Sequence, residues 1–151
     1  MKIGRKAQSL ADFDAICSLA ALISPSPGFN WPAAKLKTEL SLVETLVLEM
    51  DQKIVSFLCY RDLGDLFEIS VLGTHPQFFR QGYQSDLIKC LQVLAAKQQR
   101  RIILEVHLQN EEARPLYLKL GFLEIHRRKN YYPDGGCALV LDWNNKAGCG
   151  S

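Results

Sequence analysis

A chain of 151 residues is long enough for one globular domain and too short for two of comfortable size. With 18 basic and 16 acidic side chains its formal net charge is +2, too balanced to argue for nucleic-acid binding. The 48% hydrophobic content is ordinary for a soluble globular protein, and no apolar run approaches the ~20 residues of a membrane span. The cysteines Cys17, Cys59, Cys90, Cys137 and Cys149 form no CxxC pair and no Cys/His cluster at zinc-ligand spacing, so no metal is expected. An odd number of cysteines and no signal sequence indicate a reducing, cytoplasmic setting. Cys17, Cys59 and Cys90 lie in apolar patterns and are expected in the core.

In chain order, Asp12 to Ile23 repeats Phe13, Ile16, Cys17, Ala20 and Ile23 at helical spacing. Ser24-Pro25-Ser26-Pro27-Gly28 ends this helix and forms a loop. A short helix should begin near Pro32, with Leu36 and Leu40 on its apolar face. Thr45–Met50 and Ile54–Tyr60 read as strands joined by a tight turn at Asp51-Gln52-Lys53, and Leu66–Thr74 as a third strand. Asp86–Gln99 is the next helix, burying Leu87, Ile88, Leu91, Leu94 and Ala95. Ile102–Leu108 is an apolar strand expected at the centre of a sheet. A helix from about Glu112 to Leu120 stops at Gly121. Phe122–Arg128 and Ala138–Trp143 are strands around a Tyr-Tyr-Pro-Asp-Gly-Gly turn. Residues 1–143 form the expected domain, and the polar, glycine-rich tail 144–151 is expected to fray. Helices mixed with hairpins and crossovers indicate an α/β (α+β) class with a mixed sheet and helices on both faces.

Three local patterns carry chemistry. His75-Pro76-Gln77-Phe78-Phe79-Arg80-Gln81-Gly82-Tyr83-Gln84-Ser85 follows a strand and opens a helix. A glycine there permits a tight turn, and the free N–H groups of a helix start attract an anion. Leu104-Glu105-Val106-His107 sets a carboxylate on an apolar strand. Asn110, then Leu116-Tyr117, then Gly121-Phe122 follow. Taken by type alone, Glu105 is either a base or a glutamate that faces solvent or pairs with an arginine. Tyr117 is either an acid or a packing tyrosine. Asn110 is a ligand, a helix cap, or both. His107 shares a strand face with Glu105 and takes no assigned role. Arg100-Arg101 and Arg127-Arg128-Lys129 are basic clusters, either solvated element ends or attractors of an anionic ligand.

The order strand-carboxylate, Asn, Leu-Tyr, Gly-Phe resembles the acyl-CoA end of the GNAT N-acetyltransferases. Asn130-Tyr131-Tyr132-Pro133 narrows the resemblance to the bacterial N-terminal alanine acetyltransferases of ribosomal proteins. It covers roughly Trp31 to Leu141 and is densest from Glu105 to Pro133. It implies a GNAT fold with a mostly antiparallel sheet splayed at the cofactor site, and acetyl-CoA as co-substrate. It implies that Arg80, Gln81, Gly82, Tyr83, Gln84 and Ser85 cradle the pyrophosphate. The backbone of Leu72, Gly73 and Thr74 would pair with the pantetheine arm, one N–H polarising the thioester carbonyl. Asn110 would bond the cofactor arm. Glu105 would serve as base, with apolar neighbours raising its proton affinity, and Tyr117 as acid to the leaving thiolate. Trp31, Tyr131, Tyr132 and Glu105 would bound the acceptor groove.

An α-amine, with a reference pKa of ~8, asks less of a base than a lysine near ~10.4. The resemblance implies acetylation of a protein N-terminus, most plausibly ribosomal, by direct attack in a ternary complex, and a monomer or weak dimer is expected. Departures from the family pattern motivate two alternatives. Gly136-Cys137 replaces an acidic pair before the last strand, which favours a small amine or amino acid as acceptor. Phe79 and Gln84 stand where the family has Gln or Arg and Gly or Ala, which favours a catalytically silent interaction module.

Overall fold

The computed structural model describes residues 2–24, 29–111 and 113–144. The expected loop over 25–28, the proposed helix start at Glu112 and most of the tail, with Cys149, lie outside the described residues. The strands run in the hydrogen-bonded order β1-β2-β3-β4-β5-β7-β6, giving the mixed, mostly antiparallel sheet expected. Contacts divide the chain into two compact units, which share strand β4 (Leu66–Thr74) and helix α3 (Tyr83–Gln98).

The first unit holds the described residues up to Arg61 together with Ser70–Cys90. It opens with a strand the sequence reading missed, β1 (Lys2–Lys6), which pairs antiparallel with β2 (Glu44–Met50) from Lys2↔Met50 to Lys6↔Leu46. KIGRK has no alternation of its own; only its partner makes it a strand. Helix α1 (Leu10–Ile23) starts two residues before the expected Asp12. Ser9 and Asp12 form a capping box, so Asp12 lies in the first turn. Arg5 grips the Asp12 carboxylate through two bonds of 2.8 Å and reaches Glu49 at 3.0 Å, holding Asp12 well below the usual carboxylate range. Helix α2 (Ala33–Leu40) begins after Pro32 as expected.

β2 and β3 (Lys53–Asp62) form a hairpin. Asp51 and Gln52 both have positive φ, 50° and 66°, so the turn is two residues long and matches the strand twist. Ile16, Ala20, Leu36, Leu40, Phe57 and Val71 belong to one core cluster. Helix α3 starts at Tyr83, three residues before the expected Asp86. Gly82 at φ +84° turns the chain sharply enough for the helix to begin at once, and Tyr83 is already a core residue. Cys59 is buried, but Cys90 is exposed on α3 and is not the core residue its pattern implied.

The second unit holds Asp62–Ile69 and the described residues from Leu91 onwards. β4 pairs parallel with β5 (Arg101–His107) from Leu66↔Arg101 to Ile69↔Leu104, and the register ends there although both strands run on. β5 pairs antiparallel with β7 (Ala138–Trp143), which pairs with β6 (Leu123–Arg128). With β4 on one side and β7 on the other, β5 is central, as its apolar run implied. Its alternation is strict: Ile102, Leu104 and Val106 are buried, while Ile103, Glu105 and His107 share the opposite, half-buried face. Helix α4 (Ala113–Lys119) ends at Gly121, whose φ of +95° lets Phe122 N–H reach back to Tyr117 C=O at 3.0 Å.

Candidate active site

In the first unit, several of the residues expected to meet the cofactor have side chains turned to the protein itself. A Cβ on Gly73 would lie 2.9 Å from the Phe57 ring and 3.0 Å from the Phe29 ring, so this position presents only main chain. The fully buried Ser56 hydroxyl donates to Gly73 C=O at 2.9 Å and lies 2.8 Å from the Thr74 hydroxyl. Ser56 has one proton; once it is given to the carbonyl, Ser56 accepts from Thr74. His75 N–H donates to Val55 C=O on β3 at 2.8 Å. Gly73 and His75 thus spend polar groups within this unit. By strand alternation the N–H and C=O of Leu72 and Thr74 point the other way, away from β3.

The loop that follows is shaped for a helix start. Arg80 and Gly82 both have positive φ, 62° and 84°. Gln81 donates its side-chain amide to Gln77 C=O at 3.2 Å, fastening the turn to itself. Tyr83 turns its ring inward, 5.5 Å from Phe78, with its hydroxyl 3.5 Å from Met50 Sδ. Asp86 N–H bonds Gly82 C=O at 2.9 Å, leaving the N–H groups of Gln84 and Ser85 in the first turn, where a helix offers no carbonyl. Gln84 and Ser85 are half-buried, and Phe79 is exposed. Trp31 of the expected acceptor wall is half-buried against the core cluster, with Lys35 Nζ 4.5 Å from its ring centroid.

In the second unit, side chains converge. Glu105 sits 3.4 Å from the Arg128 guanidinium, which lies 5.5 Å from the Tyr131 ring centroid. Its carboxylate is therefore set among polar groups, not enclosed by the apolar neighbours that its strand led us to expect. Those neighbours, Leu104 and Val106, point to the other face. The pairing with an arginine is the second of the sequence alternatives, and it leaves the carboxylate about one-quarter exposed. The bond to Glu105 and the charge of Glu105 raise the Tyr131 phenol above its ordinary value, and Glu68 on β4 adds to the effect. Glu68 is a residue the sequence reading missed, although its parity on β4 and its pairing with Ile103 place it on the Glu105 face.

Tyr117 is buried on α4, its ring 6.0 Å from Phe122, and burial pushes its phenol up to about 12. It therefore keeps its proton at neutral pH. Asn110 caps α4: its side-chain oxygen accepts Ala113 N–H at 3.3 Å. The basic clusters are paired with carboxylates, Arg100 with Asp62, Arg101 with Asp142, Arg127 with Glu124 and Arg128 with Glu105. His107 bonds Asp134 and stacks on Tyr132, at 3.0 Å and 4.7 Å. This partnership spans 27 residues and left no local signal in the sequence.

The profile of the acetyltransferase (GNAT) family matches residues 16–122. A putative ribosomal protein bS18-alanine N-acetyltransferase of Bacillus subtilis is 28% identical, over 89% of this chain and 89% of that protein. The crystal structure of the ribosomal-protein-S18-alanine N-acetyltransferase of Escherichia coli superposes with a TM-score of 0.85 at 23% identity, covering 95% of this chain and 94% of the other. A GNAT acetyltransferase of Elizabethkingia anophelis, crystallised with acetyl-CoA bound, superposes with a TM-score of 0.74 at 16% identity, covering 95% and 97%. At these identities the two structures speak for the fold.

Proposed function

Because this chain belongs to the GNAT family and is an N-acetyltransferase, we propose that residues 1–143 act as one domain that carries acetyl from acetyl-CoA to the α-amine of a protein N-terminus. The observation that carries the reading is the Glu105 cluster: a strand carboxylate 3.4 Å from the Arg128 guanidinium, which itself lies over the Tyr131 ring, in a unit that also holds the buried, protonated phenol of Tyr117. Glu105 takes the proton of the attacking amine, directly or through water. The amine attacks the thioester carbonyl in a ternary complex, and Tyr117 delivers a proton to the departing thiolate. Cys59 and Cys90 take no part as nucleophiles: burial pushes Cys59 up to about 12, and Cys90 is raised as well.

The cofactor is held by main chain. The outward N–H and C=O groups of Leu72 and Thr74 pair with the pantetheine arm, and the first-turn N–H groups of Gln84 and Ser85 bind the pyrophosphate beside Arg80, Gln81, Gly82 and Tyr83. Asn110 contacts the arm while capping α4. Trp31, Tyr131 and Tyr132 bound the acceptor. A ribosomal protein in the cytoplasm is the preferred acceptor, because the relative from Bacillus subtilis carries that activity in its name. Among the described residues no helix is long and apolar enough to cross a membrane. A small amine is the second reading, favoured by Gly136 where the family pattern has an acid: a side chain there would run into His107.

Calorimetric titration with acetyl-CoA tests the reading. Micromolar binding is expected, followed by acetylation of a peptide with a free N-terminal alanine. No binding up to millimolar acetyl-CoA would leave a GNAT fold without its cofactor and overturn the proposal.

A further inference from the structure

The hairpin that carries Tyr131 is fastened to β5 through the imidazole of His107. His107 lies two residues beyond Glu105 on the same face of β5. Its Nδ1 accepts the N–H of Gln109 at 3.0 Å, so in the neutral ring the proton sits on Nε2. Nε2 donates to the Asp134 carboxylate, at 3.0 Å and 3.2 Å to its two oxygens. The ring stacks on Tyr132 with 17° between planes. Gly136 is seated against the same ring so closely that a Cβ would collide with it. Asp134 also accepts Gly136 N–H at 2.7 Å, and Gly136 C=O accepts the N–H groups of Tyr131 at 3.1 Å and Tyr132 at 3.3 Å.

Both ring nitrogens are therefore committed, which removes His107 from any water relay to Glu105. What the ring does instead is fix three points of the turn, at Tyr132, Asp134 and Gly136, to the strand that carries Glu105. We infer that His107, through Asp134, is the positioning residue of the acceptor hairpin: it sets where the Tyr131 hydroxyl meets Glu105 and so decides which amine is admitted. The part of this inference that concerns the acceptor rests on the function proposed above.

The test uses the full chain with His107→Ala, His107→Gln and, because Asp134 is exposed and its loss should not threaten folding, Asp134→Ala. Two readouts are taken: amide hydrogen exchange over residues 130–137, and the KM values for acetyl-CoA and for a peptide with a free N-terminal alanine, with alanine amide as a competing small amine. His107→Ala and Asp134→Ala should speed exchange in the hairpin and raise the peptide KM about ten-fold or more, with the acetyl-CoA KM and the melting temperature nearly unmoved. His107→Gln, whose amide N–H can replace Nε2, should recover most of both. Unchanged hairpin exchange, or an acetyl-CoA KM that moves in step with the peptide KM, would overturn the inference. A wild-type protein that transfers to neither amine would instead sink the proposed function, and the exchange arm would still decide whether His107 holds the hairpin.

Discussion

The stretch from Leu72 to Ser85 and the stretch from Glu105 to Gly136 are proposed to serve one reaction, yet they are built from different material. In the first, side chains are spent on the protein itself: Gly73 has no room for one, Thr74 binds Ser56, Gln81 binds its own turn and Tyr83 is in the core. What these four residues leave to meet a ligand is main chain, fixed in direction by strand alternation and by a helix start. In the second, the side chains of Glu105, Arg128 and Tyr131 meet one another, while the main chain serves only to hold them. A cofactor that is the same in every turnover suits a backbone site. An acceptor, and the protons that move with it, need chemistry that only side chains supply.

The contrast can be broken from either end. Glu105→Gln should have the largest effect, a fall in turnover of about 10²–10⁴-fold, with acetyl-CoA binding by calorimetry unchanged. Wild-type turnover would remove Glu105 from the role of base. Tyr117→Phe should lower turnover by about 10²-fold, towards the bottom of the same range, since the departing thiolate can take its proton from water. Gly82→Ala should act on binding instead. Its φ of +84° costs a side chain about 1–2 kcal/mol, read by urea unfolding, and acetyl-CoA affinity should drop while turnover at saturation persists. Ser56→Ala should cost about 1–3 kcal/mol by orphaning Gly73 C=O, and it should raise the acetyl-CoA KM without touching that of the acceptor.

The smallest effect is in pH. Tyr117 and Tyr132 stand at about 12 in the folded chain against about 10 unfolded, so the folded state holds their protons longer. The stability this gives is complete below pH 10 and is lost as pH rises from 10 to 12. Tyr117→Phe should flatten that part of an alkaline unfolding curve.

Much of this was legible in the sequence, for reasons particular residues show. β5 and α4 were visible because Ile102, Leu104 and Val106 alternate and Gly121 ends a helical repeat, and both signals are local. β1 was not, because Lys2–Lys6 becomes a strand only through β2. The start of α3 was misplaced because the φ of Gly82, which a sequence does not print, decides where the helix begins. Cys90 sat in an apolar pattern on a helix whose exposed face also carries Lys89 and Val93. Glu105 was left open by its strand pattern and singled out only by the family resemblance. Its neighbours Arg128 and Tyr131 arrive through a hairpin, and so does the partner of His107. Contacts made across tens of residues leave no periodicity to read.

The short parallel ladder between Leu66–Ile69 and Arg101–Leu104 also has a kinetic meaning. Its strands are about 35 residues apart in the chain, whereas β2 and β3 meet across a two-residue turn. Closing the long loop costs chain entropy before any pairing returns it, so the hairpin should form on the microsecond scale and the ladder much later. Substitutions at the Asp51-Gln52 turn should slow folding, while a truncation such as Ile69→Val should mainly speed unfolding. The strand that carries Glu105 would then be docked late in folding.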